Sequence, residues 1–146
     1  TAAIEEAKHR ARQLLLEAEQ GKSQLRVDVV RELNGRAVQE ACASLRTLLP
    51  VTTLAALHTT LVKELLASLS GLEGACLRST LERMVVKAGQ PLDAADARSL
   101  GEWAASVCGR QIPVEVHVEP TLVAGCIVHL GTVVVDNSLP NRLGSV

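Results

Sequence analysis

The stretch VEVHVEPTLVAGCIVHLGTVVV, residues 114–135, determines the fold class. Strict alternation of valine with polar residues over 114–118 predicts a short strand with one buried face. Apolar runs at 126–130 and 133–135 predict two more strands, and the segments between the three contain proline and glycine. This half of the chain therefore contains a small sheet.

Helices flank these strands on both sides in the sequence. Residues 83–87 predict a strand, and a helix begins at Asp93 as its cap and continues to Val107. Residues 136–138 cap a final short helix that carries Pro140 in its first turn, where proline is tolerated. The order is β-α-β-β-β-α, a small sheet with helices on one face.

The N-terminal third of the chain predicts one long helix. Residues 1–49 contain no proline and are rich in Ala, Leu, Glu, Arg and Gln, and Pro50 sets the stop. A helix of this length would extend about 70 Å, more than a small globule accommodates. Residues 51–69 predict a second helix, capped by Thr52 or Thr53, that folds back on residues 25–49 as an αα-hairpin.

The predicted fold class is therefore α+β, a long N-terminal helical arm followed by a β-α-β-β-β-α lobe. We divide the chain into a stalk helix at 1–49, a helix packing back on it at 50–74, and a lobe at 75–146.

Apolar residues of the arm recur at eleven-residue spacing, which is typical of right-handed helix pairing. The first 20 residues are mostly charged and cannot bury themselves alone, although a long solvated helix end is the alternative. We predict that Leu14, Ala18, Leu25 and Val29 contact a partner helix.

Composition excludes several classes of function. Trp103 is the single aromatic residue, so the stacking surfaces of single-stranded nucleic-acid binders are missing. Fifteen basic and sixteen acidic side chains give a net charge of −1, which favours neither DNA nor anionic lipid. No apolar run of about 18 residues occurs, so we expect a soluble segment, and the start at Thr1 leaves room for a longer parent protein.

Candidate chemical groups do not form a recognisable site. Cys126 and His129 are three residues apart on a strand and face opposite sides, which rules out a dyad. His117 and His129, expected on neighbouring strands, lack a third metal ligand. His58 is expected at the surface or at its boundary, and the four cysteines are expected as buried, reduced thiols. We predict no catalytic residue, cofactor or metal.

Two C-terminal segments resemble a known family. Residues 118–131 (VEPTLVAGCIVHLG) resemble the "V-D-P-S-L-I-G-G-strand-G" pattern of the delta subunit of rotary ATP synthases, counterpart of the mitochondrial oligomycin-sensitivity protein. Residues 134–143 look like its closing "V-I-D-G-S-V-x-x-R-L", although Asp136-Asn137-Ser138-Leu139 is closer to the "V-D-N-T-L-x-x-R-L" of the E subunit of vacuolar and archaeal ATPases. Residues 1–49 are similar to the long helix of the b-type stalk subunit.

The resemblance implies a non-catalytic peripheral-stalk (stator) subunit that holds the catalytic head against rotor torque. Its partners would be a second long-helix stalk subunit and the head subunits, at the cytoplasmic face of a membrane and without inserting into it. Gly125, Asp136, Leu139 and Arg142 would belong to the head-docking lobe. The E-like assignment comes first because that subunit also consists of one arm and one lobe, with a delta or b–delta subunit as the alternative. An export-apparatus stator and a small ligand-binding or scaffold module are further alternatives.

Overall fold

The computed structural model describes residues 1–72 and 81–144. In that part of the chain the helices are α1 (Ala2–Leu48), α2 (Val51–Ser70), α3 (Ala94–Cys108) and α4 (Leu139–Gly144). The strands are β1 (Met84–Ala88), β2 (Val114–Val118), β3 (Gly125–Leu130) and β4 (Val133–Ser138), with a 3-10 turn at Pro120–Leu122. The predicted α+β class, with its long N-terminal helix, is confirmed.

Proline separates the first two helices. α1 ends at Leu48, and the Leu49 N–H still donates to the Leu45 carbonyl at 3.0 Å. Pro50 is the residue that caps α2, in an extended conformation and without a side-chain hydrogen bond. The expectation that Thr52 or Thr53 caps this helix is therefore wrong, because the helix already begins at Val51 and both threonines lie inside its first turn.

The sheet has the strand order β2-β1-β3-β4. β1 pairs in parallel with β2, so α3 forms the crossover between them, and it pairs antiparallel with β3 on its other side. β3 and β4 form an antiparallel hairpin around Gly131. His117 and His129 are thus not on neighbouring strands, as expected, because β1 lies between β2 and β3.

One face of the sheet packs against α2 and α3. Every second residue of β1 and β3 is buried there, which confirms that Cys126 and His129 face opposite sides. We call this group the main cluster; its buried members are Val62, Leu65, Leu69, Leu81, Met84, Val86, Ala88, Leu100, Ala104, Ile112, Cys126, Val128 and Leu130.

A smaller group of apolar residues joins the C-terminal end of α1 to the lobe. We call it the second cluster; its buried members are Cys42, Leu61, Val123, Ala124 and Leu139. Val38 and Leu45 of α1 and Leu143 of α4 pack against it.

By its contacts the chain divides into two compact units, residues 1–37 and 38–146. Both clusters belong to the second unit. The three-part division proposed from the sequence stays a prediction, and its boundary at 74–75 lies outside the described residues, as does Cys76. Among the described helices, none is both long and apolar enough to cross a membrane.

Candidate protein-interaction site

The first unit is a single helical segment whose apolar side chains are exposed. Leu14 and Leu25 are 65% and 63% exposed, Val29 is 45% exposed, and Ala18 lies between them in an exposed position. Steps of four, seven and four residues place these side chains on one side of a helix. The structure therefore displays the predicted partner-helix residues together on one exposed stripe.

The stripe is not the only apolar side of this segment. Leu16, Val27 and Val30 are at least half exposed, and at 100° per residue they lie on the side away from Leu25 and Val29. Around them the polar side chains pair along the helix, as in Arg10 with Glu6 at 2.6 Å and Arg36 with Glu32 at 2.8 Å. Exposed pairs of this kind add little stability, so the apolar sides are the part of this helix that would gain from contact with another helix.

In the lobe, Gly125 lies where β3 and β4 approach most closely. It has a φ of +79°, and a Cβ built on it would overlap the Asn137 carbonyl oxygen and lie 2.9 Å from the Ser138 Cα. Only glycine fits such a position. The start of α4 lies beside this position. The Leu139 N–H donates to the Ala124 carbonyl at 3.0 Å, and the Leu139 side chain is buried in the second cluster.

Asp136 and Arg142 lie at the exposed end of the same region. The Asp136 carboxylate accepts hydrogen bonds from the Ser138 N–H at 3.0 Å and from the Ser138 hydroxyl at 2.6 Å. Arg142 pairs with Glu64 of α2 at 3.3 Å. Gly125, Asp136, Leu139 and Arg142 all have contacts within the second unit. Their assignment to head docking stays a prediction.

His58 is the residue that the sequence analysis misjudged. It was expected at the surface or at its boundary. The residue is instead buried, at 7% exposed, and its Nδ1 accepts a hydrogen bond from the Gly125 N–H at 3.0 Å. Burial lowers the pKa of the ring, and the carboxylate of Asp96 opposes this to a smaller extent. No local pattern marks His58, because the partner that buries it is 67 residues further along the chain.

A strained turn precedes Gly125. Val123 has a φ of 64° and a ψ of −53°, and the Ala124 N–H donates to the Leu122 carbonyl at 2.7 Å. This is a γ-turn, which is costly for a β-branched residue. The Gln90 amide donates to both the Val123 and Leu54 carbonyls at 3.2 Å, so α2 and the β1–α3 loop hold the turn in place.

An open groove of about 520 Å³ adjoins this turn, lined by Gln39, Cys42, Ala43, Arg46, Thr47, Thr121 and Val123. Burial raises the pKa of its thiol, Cys42, and the lining includes no histidine or carboxylate that would act as a base. Over residues 1–72 and 81–144, no group of three or more His, Cys, Asp or Glu side chains is placed to hold a metal ion.

The fold and these surfaces define an α+β lobe attached to a long helix with unburied apolar sides. Residues 73–146, slightly more than half of the chain, match the family described as ATP synthase delta (OSCP) subunit. The chain belongs to this family.

One relative is the ATP synthase subunit delta of Azorhizobium caulinodans. The two proteins are 36% identical over 61 residues, which is 42% of this chain and 33% of the relative. The chain thus spans about one third of the length of that relative.

Proposed function

We propose that this chain is a non-catalytic peripheral-stalk (stator) subunit of an F-type ATP synthase, of the delta or b–delta kind. The observation that carries the proposal is the family match over 73–146, in a lobe that follows a 47-residue helix with exposed apolar sides. A stator must resist the torque of the rotor, and this requires a stiff connection and firm attachment rather than chemistry.

In this function, residues 1–37 pair with a second long helix. Leu14, Leu25 and Val29 supply the contact, with Ala18 allowing close approach of the two backbones. Full burial of one such Leu or Val contributes on the order of 1.5–3 kcal/mol. Association itself costs roughly 4–15 kcal/mol, so these three side chains favour pairing together with their counterparts on the partner and with further contacts along the two helices.

The lobe attaches to the catalytic head. Asp136 and Arg142 are exposed polar groups at this end of the lobe, and Gly125 and Leu139 hold the backbone that presents them. The attachment requires no cofactor and places the chain at the periphery of the membrane-bound complex.

The delta alternative now takes precedence over the vacuolar/archaeal E-like assignment. The latter depends on the tetrapeptide Asp136-Asn137-Ser138-Leu139 and on the order of arm and lobe. The family match and the delta relative favour the F-type assignment instead.

The test is capture of the chain by purified F-type head, by archaeal-type head, and by a b-type stalk helix, followed by light-scattering mass. A defined complex with the F-type head and the b-type helix is the expected result. Capture by the archaeal-type head alone would restore the E-like assignment. A monomer that binds none of the three would contradict the stator function.

Paired variants separate the two surfaces. Leu25→Asp with Val29→Asp should abolish binding of the b-type helix, because it places two charges on the stripe. The matched control is Gln13→Asp with Gln24→Asp, which adds the same charges on the polar side of the helix and should leave this binding unchanged. Equal loss in both pairs would show that helix pairing does not use the stripe.

A further inference from the structure

His58 connects α2 to the first residue of β3. Its Nδ1 accepts the Gly125 N–H at 3.0 Å inside the protein. Because a backbone N–H donates to it, Nδ1 carries no proton, and the neutral ring holds its proton on Nε2. Nε2 is buried and has no hydrogen-bond partner among the described residues, so one contact determines the state of the ring.

The contact lies beside the joint between α1 and the lobe. His58 is three residues before Leu61, and Gly125 directly follows Ala124; both Leu61 and Ala124 are buried in the second cluster with Cys42 of α1. Gly125 also accepts, through its carbonyl, the N–H of Gly89 at 3.0 Å. Loss of the His58 contact would therefore act first on the second cluster.

The charged groups near the His58 ring do not offset the cost of placing a second proton on it. Asp96 of α3 favours the charged ring, but burial outweighs it and the pKa of His58 is lowered. Cys42, the titratable group that α1 brings to this cluster, has a pKa raised by burial and is neutral. On the surface beyond, Glu64 of α2 is paired with Arg142 of α4 at 3.3 Å.

We propose that His58 is an acid-sensitive latch for the joint between the C-terminal end of α1 and the lobe. A proton on Nδ1 converts the acceptor into a donor that faces the Gly125 N–H, so the hydrogen bond is lost and both donors are left buried without partners. The joint is closed near neutral pH and loosens as pH falls below the ordinary imidazole range, about 6.5.

The direction follows from proton binding. The closed joint prefers the neutral ring, so the opened form binds more protons below about pH 6.5 and gains population as pH falls. In this window the opening equilibrium constant changes by up to about tenfold per pH unit. Below the lowered pKa of the closed form the dependence levels off.

Hydrogen exchange resolved at single amides by NMR, on the full chain between pH 7.5 and 5.0, tests the latch, with rates corrected for intrinsic exchange. The protection of Gly125 should approach a tenfold loss per pH unit below about 6.5, while Val128 in the main cluster keeps its protection. Equal loss at both amides would mean general destabilisation and would overturn the proposal. So would constant protection at Gly125.

Two variants complete the experiment. His58→Asn provides an amide oxygen near the position of Nδ1 and does not titrate, so the pH dependence at Gly125 should disappear. His129→Asn removes a half-buried histidine from the opposite face of β3 and should leave that dependence unchanged. The comparison of Gly125 with Val128 in the unsubstituted chain remains decisive where either variant folds poorly.

Discussion

Replacement of Gly125 by alanine should be among the most damaging single-methyl changes in the lobe. The added Cβ would meet backbone atoms, the Asn137 carbonyl oxygen and the Ser138 Cα at 2.9 Å, and the Leu61 Cδ1 at 3.1 Å. Backbone atoms of a paired strand cannot rotate away, so β3 and β4 must separate. The positive φ costs about 1–2 kcal/mol and the overlap about 1–3 kcal/mol more, giving a loss of about 2–5 kcal/mol.

Two other glycines isolate these contributions. Gly109 has a φ of +69° but open space around its Cβ position, so Gly109→Ala should cost only the first 1–2 kcal/mol or so. Gly101 lies within α3, also with open space, and Gly101→Ala should stabilise by up to about 1 kcal/mol.

The assay is urea unfolding followed by the fluorescence of Trp103, which packs against the main cluster and is the single tryptophan. Free energies of unfolding are compared at equal m-values. If Gly125→Ala loses no more than Gly109→Ala, the close approach of β3 and β4 is not what requires glycine.

Two further predictions concern the free energy of unfolding, and a third concerns the alkylation of a thiol. Deletion of residues 1–37 should leave the free energy of unfolding within about 0.5 kcal/mol, because both clusters lie in the second unit; loss of cooperative unfolding would show that the first unit supports the lobe. Leu139→Ala should cost at least about 2 kcal/mol because its side chain is 6% exposed in the second cluster, whereas Leu48→Ala, at 78% exposed, should change stability by less than about 0.5 kcal/mol. Burial, with smaller effects of two carboxylates, raises the pKa of Cys126 to about 12, so iodoacetamide should not label it at pH 8 without denaturant; native labelling as fast as that of half-buried Cys108 would contradict this.

The helices and strands of the fold could be predicted from local sequence patterns. The absence of proline before Pro50 predicts α1, and the alternation at 114–118 and the apolar run at 126–130 give β2 and β3 almost to the residue. These features depend on the period of the side chains along the chain. The order β2-β1-β3-β4 was not predicted, because strand pairing depends on contacts far apart in sequence.

The candidate site was predicted only where a single residue carries the signal. Gly125 was among the residues named from the sequence, and the structure has it at a close backbone approach. His58 and Val123 were not recognised, since burial of the one and the positive φ of the other come from neighbours in space. The sequence around His58 and around Val123 contains no pattern that predicts burial of the histidine or a positive φ at the valine.

The central position of β1 affects the order in which the chain is completed during synthesis. β1 forms its hydrogen bonds with β2 and β3, so the strand at 84–88 stays incomplete until residues up to 130 have left the ribosome. α1 needs only contacts between residues four apart and is finished long before. The nascent chain therefore presents a complete helix while its lobe is still unformed, and the helix is available to bind a neighbour first.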